Sequence, residues 1–310
     1  MKKTSYIIAA VLIAVIVLAA FIGTYLSSHP TANSNPTSNV VQVVAAENFW
    51  GSLIAQLGGT RVHVFSIVTD PNADPHEYES SSADAIAIAN ARLVIVNGAG
   101  YDTWAQQLIA ASNTPNQVVL NVQELINQPI GANPHFWYSP YYVNDTVNAM
   151  YKDLVSIDPT DTAYYTQQYA ALNTSLAVYN GVIDQIKQQF GGTKVASTES
   201  IFVYLANAAG LDLVSPSAFM QAVSEGNDPP AQSIVQFDQL IQSGTVKVLV
   251  YNSQTVTPET QTIESMATQY HIPIVAITET VQPPTALFQD WMNSELIALQ
   301  NALNQTASGK

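Results

Sequence analysis

The sequence predicts an α/β fold made of two Rossmann-like lobes with parallel sheets, joined by one long rigid helix, with a cleft between the lobes. β-branched segments alternate with helical segments twice, once on each side of a long amphipathic stretch. This alternation is typical of parallel sheets covered by helices. Within the stretch, apolar residues recur in steps of three and four from residue 165 to residue 190, which predicts about seven helical turns. The chain beyond residue 39, roughly 270 residues, is long enough for two hydrophobic cores.

The first 26 residues predict a membrane segment. No charged residue interrupts the apolar run from Tyr6 to Leu26, which follows two lysines. As a helix this run would be about 30 Å long, the thickness of the hydrocarbon layer. We interpret residues 1–26 as an N-terminal transmembrane anchor or signal sequence, and whether it is cleaved stays open. Residues 27–39 are polar and contain proline, as in a flexible linker.

The rest of the chain divides into three predicted parts. These are an N-terminal lobe at 40–158, a linking helix at 159–191 and a C-terminal lobe at 192–310. Strands are predicted at residues 40–44, 62–68, 93–96, 118–120, 194–197, 211–214, 246–251 and 273–277. Helices are predicted between them at residues 48–57, 81–89, 101–111, 199–209, 231–242, 258–270 and 285–303.

Composition narrows the possible partners. The chain has 9 basic and 23 acidic residues, a net charge of −14, and no cysteine. An acidic surface repels nucleic acid and attracts cations, so we expect no nucleic-acid partner. The absence of cysteine excludes disulfides, thiolate metal sites and a lipid anchor on cysteine in this sequence.

Two Pro-His loops and one glutamate predict a metal site. His76 follows Asp74 and Pro75, and His135 follows Asn133 and Pro134. Proline restrains such a loop, and ligands of parallel sheets bind beyond the carboxyl ends of strands. Either histidine alone would be an ordinary surface residue, but neutral imidazole is also the commonest metal ligand.

In the second lobe, Glu199 lies just after the strand predicted at residues 194–197. It is either the carboxylate of this site or a residue that favours a helix N-terminus. Two imidazoles and one carboxylate suit zinc, manganese or iron.

Four segments carry a resemblance to a known family. They are 74–79 (DPHEYE), 97–104 (NGAGYDTW), 133–140 (NPHFWYSP) and 199–204 (ESIFVY). With these segments the chain resembles the metal-binding solute-binding proteins, periplasmic or extracellular, of zinc- and manganese-type ABC transporters. The resemblance implies a monomer outside the cytoplasm, anchored to the cytoplasmic membrane at the cell surface. Such a protein is not an enzyme. It captures one divalent ion, Zn or Mn, as transported ligand and delivers it to an importer permease.

The resemblance also implies the ligand set His76, His135 and Glu199. A fourth ligand is expected after the strand at residues 246–251, where manganese-type members of the family carry an aspartate. This chain has no carboxylate at residues 252–258, so Gln254, Asn252 or water is expected there. Two alternatives stay open, namely a zinc hydrolase or non-haem iron enzyme with the same ligands, and an adhesion protein on this fold.

Overall fold

The computed structural model describes residues 40–70 and 78–308. The predicted anchor, the predicted linker and His76 therefore lie outside the described residues. Among the helices of the described ranges, none combines the length and apolar character that a membrane crossing requires.

The first lobe is a four-stranded parallel sheet with strand order β2-β1-β3-β4. The order reverses between β1 and β3, and such switch points create crevices at the carboxyl ends of the strands. Its strands are β1 (Val41–Glu47), β2 (Val62–Val68), β3 (Leu93–Val96) and β4 (Val118–Asn121). Its helices are α1 (Asn48–Gly58), α2 (Ser82–Asn90), α3 (Thr103–Ser112), the single turn α4 (Val122–Leu125) and α5 (Pro140–Ile157).

The second lobe repeats this topology with strand order β6-β5-β7-β8, again parallel throughout. The strands are β5 (Lys194–Ser197), β6 (Asp212–Leu213), β7 (Val248–Asn252) and β8 (Ile274–Ile277). The helices that follow the linking helix α6 (Thr162–Phe190) are α7 (Val203–Ala208), α8 (Ser217–Ser224), α9 (Ala231–Gln242), α10 (Pro258–Gln269) and α11 (Phe288–Ser308). The predicted α/β architecture is confirmed, and so is its long helix.

The linking helix α6 buries the face that its apolar periodicity predicts. It has 29 residues and is therefore about 43 Å long. Its buried side chains are Tyr165, Leu172, Leu176, Tyr179, Ile183 and Ile186. They belong to one hydrophobic core that also contains residues of both lobes. The lobes are thus held through a shared interior as well as through the chain.

Direct contacts also join the two lobes. The side chain of Asn48 accepts a hydrogen bond from the Val281 N–H at 2.9 Å and donates to the Val281 carbonyl at 3.3 Å. Ser52 Oγ accepts from the Phe288 N–H at 2.9 Å. Asn48 is 5% exposed, so water competes little for its hydrogen bonds. These contacts fix helix α1 against the segment after β8.

Several segments differ from the sequence prediction, among them helix α8 and the single turn α4, which were not predicted. Helix α5 was not predicted, although Ser139 caps it and Pro140 occupies its first position. The helix predicted over residues 199–209 is wrong at its start, because a single 3₁₀ turn at Ser200–Phe202 precedes α7. Glu199 itself is extended, with φ −147° and ψ 170°. It therefore continues the direction of β5 into the space between the lobes.

Candidate metal centre

Three buried side chains form a cluster that could hold a metal ion. His135, Glu199 and Glu279 each offer one ligand atom, and these atoms all lie within 4.8 Å of one another. His135 Nε2 is 3.2 Å from Glu199 Oε1 and 4.0 Å from Glu279 Oε2. All three side chains are fully buried. A buried cluster with two carboxylates needs positive charge for compensation, which a divalent cation would supply.

Polar residues of both lobes fix the loop that carries His135. Asn97, at the carboxyl end of β3, donates from Nδ2 to the Pro134 carbonyl at 2.8 Å. Asn133 donates from Nδ2 to the Ser200 carbonyl at 2.7 Å, which ties the loop to the second lobe. The imidazole is therefore held between the carboxyl ends of the two sheets.

The surroundings of the imidazole assign its tautomer. His135 Nδ1 lies 2.7 Å from Asn133 Oδ1, and Asn133 is oriented by its Nδ2 bond to the Ser200 carbonyl. An amide oxygen only accepts, so Nδ1 carries the hydrogen. In a neutral imidazole the lone pair would then be on Nε2, the atom that faces Glu199 and Glu279, as a metal ligand requires.

Glu199 reaches the cluster because it lies two residues after the end of β5. In the described part of the chain, His135 is the one basic side chain within ion-pair distance of its carboxylate. The other carboxylate oxygen, Oε2, accepts a hydrogen bond from Asn252 Nδ2 at 2.5 Å. Asn252 is the last residue of β7, the strand next to β5. The second sheet therefore supplies both a candidate ligand and the residue that orients it.

Glu279 is a candidate ligand that the sequence analysis missed. It lies two residues after β8, whereas the fourth ligand was expected after β7. The Gln254 side chain contacts the backbone of the segment that carries Glu279. Its Oε1 accepts hydrogen bonds from the N–H groups of Glu279 at 2.8 Å and Thr280 at 2.9 Å. Gln254 therefore holds the backbone of the loop that presents Glu279.

Tyr101 connects Glu279 with the first lobe. Its hydroxyl donates to Glu279 Oε2 at 2.5 Å, and its ring lies edge-on to the His135 ring with centroids 6.3 Å apart. This hydrogen bond couples the position of Glu279 Oε2, in the second lobe, to Tyr101 in the first lobe. The sequence analysis assigned no role to Tyr101, although Tyr101 belongs to the segment at 97–104 that carries part of the family resemblance.

Two further buried carboxyl groups lie beside the site. Burial raises the pKa of Asp102 to about 6, although N–H groups of Gly98 and Asn97 donate to its carboxylate. Burial also raises the pKa of Glu47 well above its ordinary value, and the nearby Asp102 charge adds to the rise. Both shifts disfavour the charged forms of these two groups beside the cluster.

The position of His76 is not described, but the strand before it is. Val68, at the end of β2, is paired with Glu47, at the end of β1. The described chain then runs to Asp70 and resumes at Tyr78. The segment with His76 thus starts from the edge of the first sheet at which Asn97 and Tyr101 also lie.

Comparison with known proteins identifies the family of this fold and site. Residues 43–302 match the family model described as zinc-uptake complex component A, periplasmic (ZnuA). The chain belongs to this family. The match covers both lobes and the linking helix, so it includes every described residue of the cluster.

Relatives and solved structures of the family differ in the metal that their names state. The manganese-binding lipoprotein MntA of Halalkalibacterium halodurans is 27% identical over 210 residues, 64% of this chain and 68% of that protein. The iron-binding protein YfeA of Yersinia pestis is 22% identical over 258 residues, 79% of this chain and 81% of that protein.

Among solved structures, the periplasmic zinc binding protein TroA from Treponema pallidum has the same fold. Its TM-score is 0.70 at 17% identity, and the match covers 84% of this chain and 98% of that chain. Because the names of these three proteins state three different metals, membership of the family does not define the ion.

Proposed function

We propose that this chain is the solute-binding component of a zinc- or manganese-type ABC importer and that it captures one divalent metal ion between its lobes. The ligands are His76, His135, Glu199 and Glu279. The observation that carries the proposal is the buried cluster of one imidazole and two carboxylates, with ligand atoms within 4.8 Å of one another. We include His76 because of its position in the sequence, directly after Pro75. Glu279 takes the place of Gln254, which the sequence analysis expected as a fourth ligand.

The proposed activity of this protein is binding of a metal ion without catalysis. A catalytic zinc site keeps a position for water beside three protein ligands. Four protein ligands would fill a tetrahedral zinc site and leave no such position. The same reasoning argues against a non-haem iron enzyme, which needs open positions for its reactants.

The proposed location is outside the cytoplasm at the surface of the cytoplasmic membrane. Residues 1–26 would serve as the anchor and residues 27–39 as the tether, since this sequence has no cysteine for a lipid. The lobes at 40–158 and 192–310, with the linking helix at 159–191, would present the bound ion to the importer permease. The protein would act as a monomer.

Calorimetric titration with Zn²⁺ and Mn²⁺ tests the ligand set. His76→Ala, His135→Ala and Glu279→Ala are each expected to abolish tight binding, because each removes one ligand atom. Glu199→Gln should weaken binding, because an amide oxygen carries no net charge. Glu124→Gln is the matched control for the carboxylate changes, since Glu124 is exposed and does not belong to the cluster.

The variant Gln254→Ala distinguishes whether Gln254 is itself a metal ligand or a residue that positions Glu279. Loss of its bonds to the Glu279 loop should lower affinity by about 10–100-fold, the effect typical of residues that orient ligands. If Gln254→Ala abolished binding and Glu279→Ala left it unchanged, the proposed ligand set would be wrong. If the wild-type chain bound neither ion, the proposed function would be wrong.

A further inference from the structure

We propose that a divalent ion reaches the cluster, and leaves it, through a cavity between the two lobes. The cavity has a volume of about 560 Å³. Residues 99–101 and 131–134 line it from the first lobe, and Ser200, Val203 and part of helix α8 line it from the second. The inference rests on the proposed function, because it concerns the route of the same ion. We call this space the entry cavity.

The candidate ligands are closed off from solvent. His135, Glu199 and Glu279 are each 0% exposed. An ion therefore reaches them only by displacing part of the protein that covers them. A favourable route has a thin cover and, in front of it, room for the ion with its bound water.

A single layer of residues separates the entry cavity from the cluster. Three residues that line the cavity also contact a candidate ligand. Tyr101 donates from its hydroxyl to Glu279 Oε2 at 2.5 Å. Asn133 Oδ1 lies 2.7 Å from His135 Nδ1, and Ser200 Oγ lies 3.4 Å from the same nitrogen. An ion in the entry cavity is therefore one layer away from the cluster.

The entry cavity is large enough for a hydrated ion. Ions such as Mn²⁺ hold six oxygen ligands in octahedral geometry. Six waters at about 30 Å³ each occupy roughly 180 Å³. The cavity has about three times this volume. An ion can therefore enter it without first losing its water.

The lining of the entry cavity suits water that is bound to a cation. Ser200, Ser217 and Ser224 bring three hydroxyl groups, and Ser200 Oγ donates to Ser224 Oγ at 3.1 Å. Glu225 is the one charged residue among the described lining residues, and its Oε1 accepts from Gln221 Nε2 at 2.8 Å. Hydroxyl and carboxylate oxygens accept hydrogen bonds from coordinated water. The negative charge of Glu225 also attracts a cation to the cavity.

The test measures both rate constants of Zn²⁺ binding in the variant Ser217→Trp. Ser217 is exposed at the start of α8 and lines the entry cavity, so an indole at this position narrows the route. An obstacle on the route raises the same barrier for entry and for exit. Association and dissociation should therefore both slow by about tenfold, and the dissociation constant should stay unchanged.

Stopped-flow mixing with a fluorescent zinc chelator measures both rates. Ala218→Trp is the matched control, because Ala218 is also exposed on α8 and does not line the cavity. It should keep both wild-type rate constants. Wild-type rates in Ser217→Trp would overturn the inference. A change confined to dissociation would also overturn it, because the cavity would then belong to the binding site. Either result would leave the proposed function intact.

The variant Glu225→Gln keeps the inference testable if Ser217→Trp does not fold. It removes the negative charge of the entry cavity and keeps the shape of the side chain. Association should slow by about 2–5-fold at low ionic strength, and the difference should vanish at about 1 M salt. Asp184→Asn, which changes an exposed carboxylate of α6 outside the cavity, should leave association unchanged. Wild-type association in Glu225→Gln at low salt would overturn the inference. A wild-type chain that binds no divalent ion would overturn both the inference and the proposed function.

Discussion

Replacing Glu295 with glutamine should remove part of the pH dependence of stability. Glu295 lies in helix α11, and its Oε1 accepts from the N–H of Thr278 and from Trp291 Nε1, both at 2.9 Å. Its Oε2 accepts from the Tyr138 hydroxyl at 2.7 Å. Burial raises the pKa of Glu295 to about 7, although these hydrogen bonds oppose the rise.

The magnitude follows from the difference between folded and unfolded pKa values. The ordinary value of 4.5 applies to the unfolded chain, so the folded chain holds this proton more tightly. The resulting stability is fully present below pH 4.5 and is lost as the pH rises through about 7. Between pH 5.5 and pH 8, Glu295 should therefore account for a loss of about 2 kcal/mol in the free energy of unfolding.

Glutamine fits the same position. Its oxygen can keep the bonds of Oε1, and its amide can donate to the Tyr138 oxygen, which still donates to the Thr278 carbonyl at 2.8 Å. Urea denaturation of the metal-free wild type and Glu295→Gln at pH 5.5 and pH 8 measures the effect. Asp102 and Glu47 titrate in both proteins, so their contributions cancel in the difference. An equal stability difference at the two pH values would refute the reasoning.

Three other perturbations have defined outcomes. Phe49→Ala removes a fully buried ring that stacks on Trp137 at 3.9 Å between centroids, and should cost about 3–5 kcal/mol in urea denaturation. Gly98→Ala should destabilise by about 1–3 kcal/mol in the same assay, because φ is +79° and the new Cβ would lie 2.4 Å from Asn121 Oδ1. A cost below about 0.5 kcal/mol for either variant would contradict the packing described. Saturating Zn²⁺ should raise the melting temperature at pH 7, and scanning calorimetry should show a smaller gain at pH 5.5, because ligand imidazoles must be deprotonated. An equal gain at both pH values would count against histidine ligands.

The sheets and the linking helix were predictable because their signals are local. β1, β3 and β7 consist mainly of β-branched and apolar residues, the pattern typical of buried parallel strands. The steps of three and four in α6 likewise define its buried face without knowledge of its neighbours. The same signal was present in α5, where Val143, Val147, Met150 and Leu154 are buried. The spacing of these apolar residues could therefore have predicted α5, but the sequence analysis did not include this helix.

The site was only partly predictable, because its members meet through tertiary structure. His135 and Glu199 follow predicted strands, and their types already favour a metal. Glu279 also follows a predicted strand, but which of several strand ends receives the ligand depends on how the two sheets face each other. The sequence analysis considered Asn252 as a ligand and did not predict that it donates to two carboxylates. These two hydrogen bonds join Asn252 to residues that lie 53 and 27 positions away in the chain.

The hydrogen bonds between Asn48 and the backbone of Val281 bear on how a bound metal ion could leave the site. Swinging the lobes apart would break this pair and expose the aromatic interior around Phe49, at a large cost in free energy. Moving only the side chains of Glu199 and Glu279 would leave this pair of hydrogen bonds intact. We therefore expect the metal ion to be released by a local rearrangement of the second lobe. Solution scattering should find nearly equal radii of gyration with and without the bound ion.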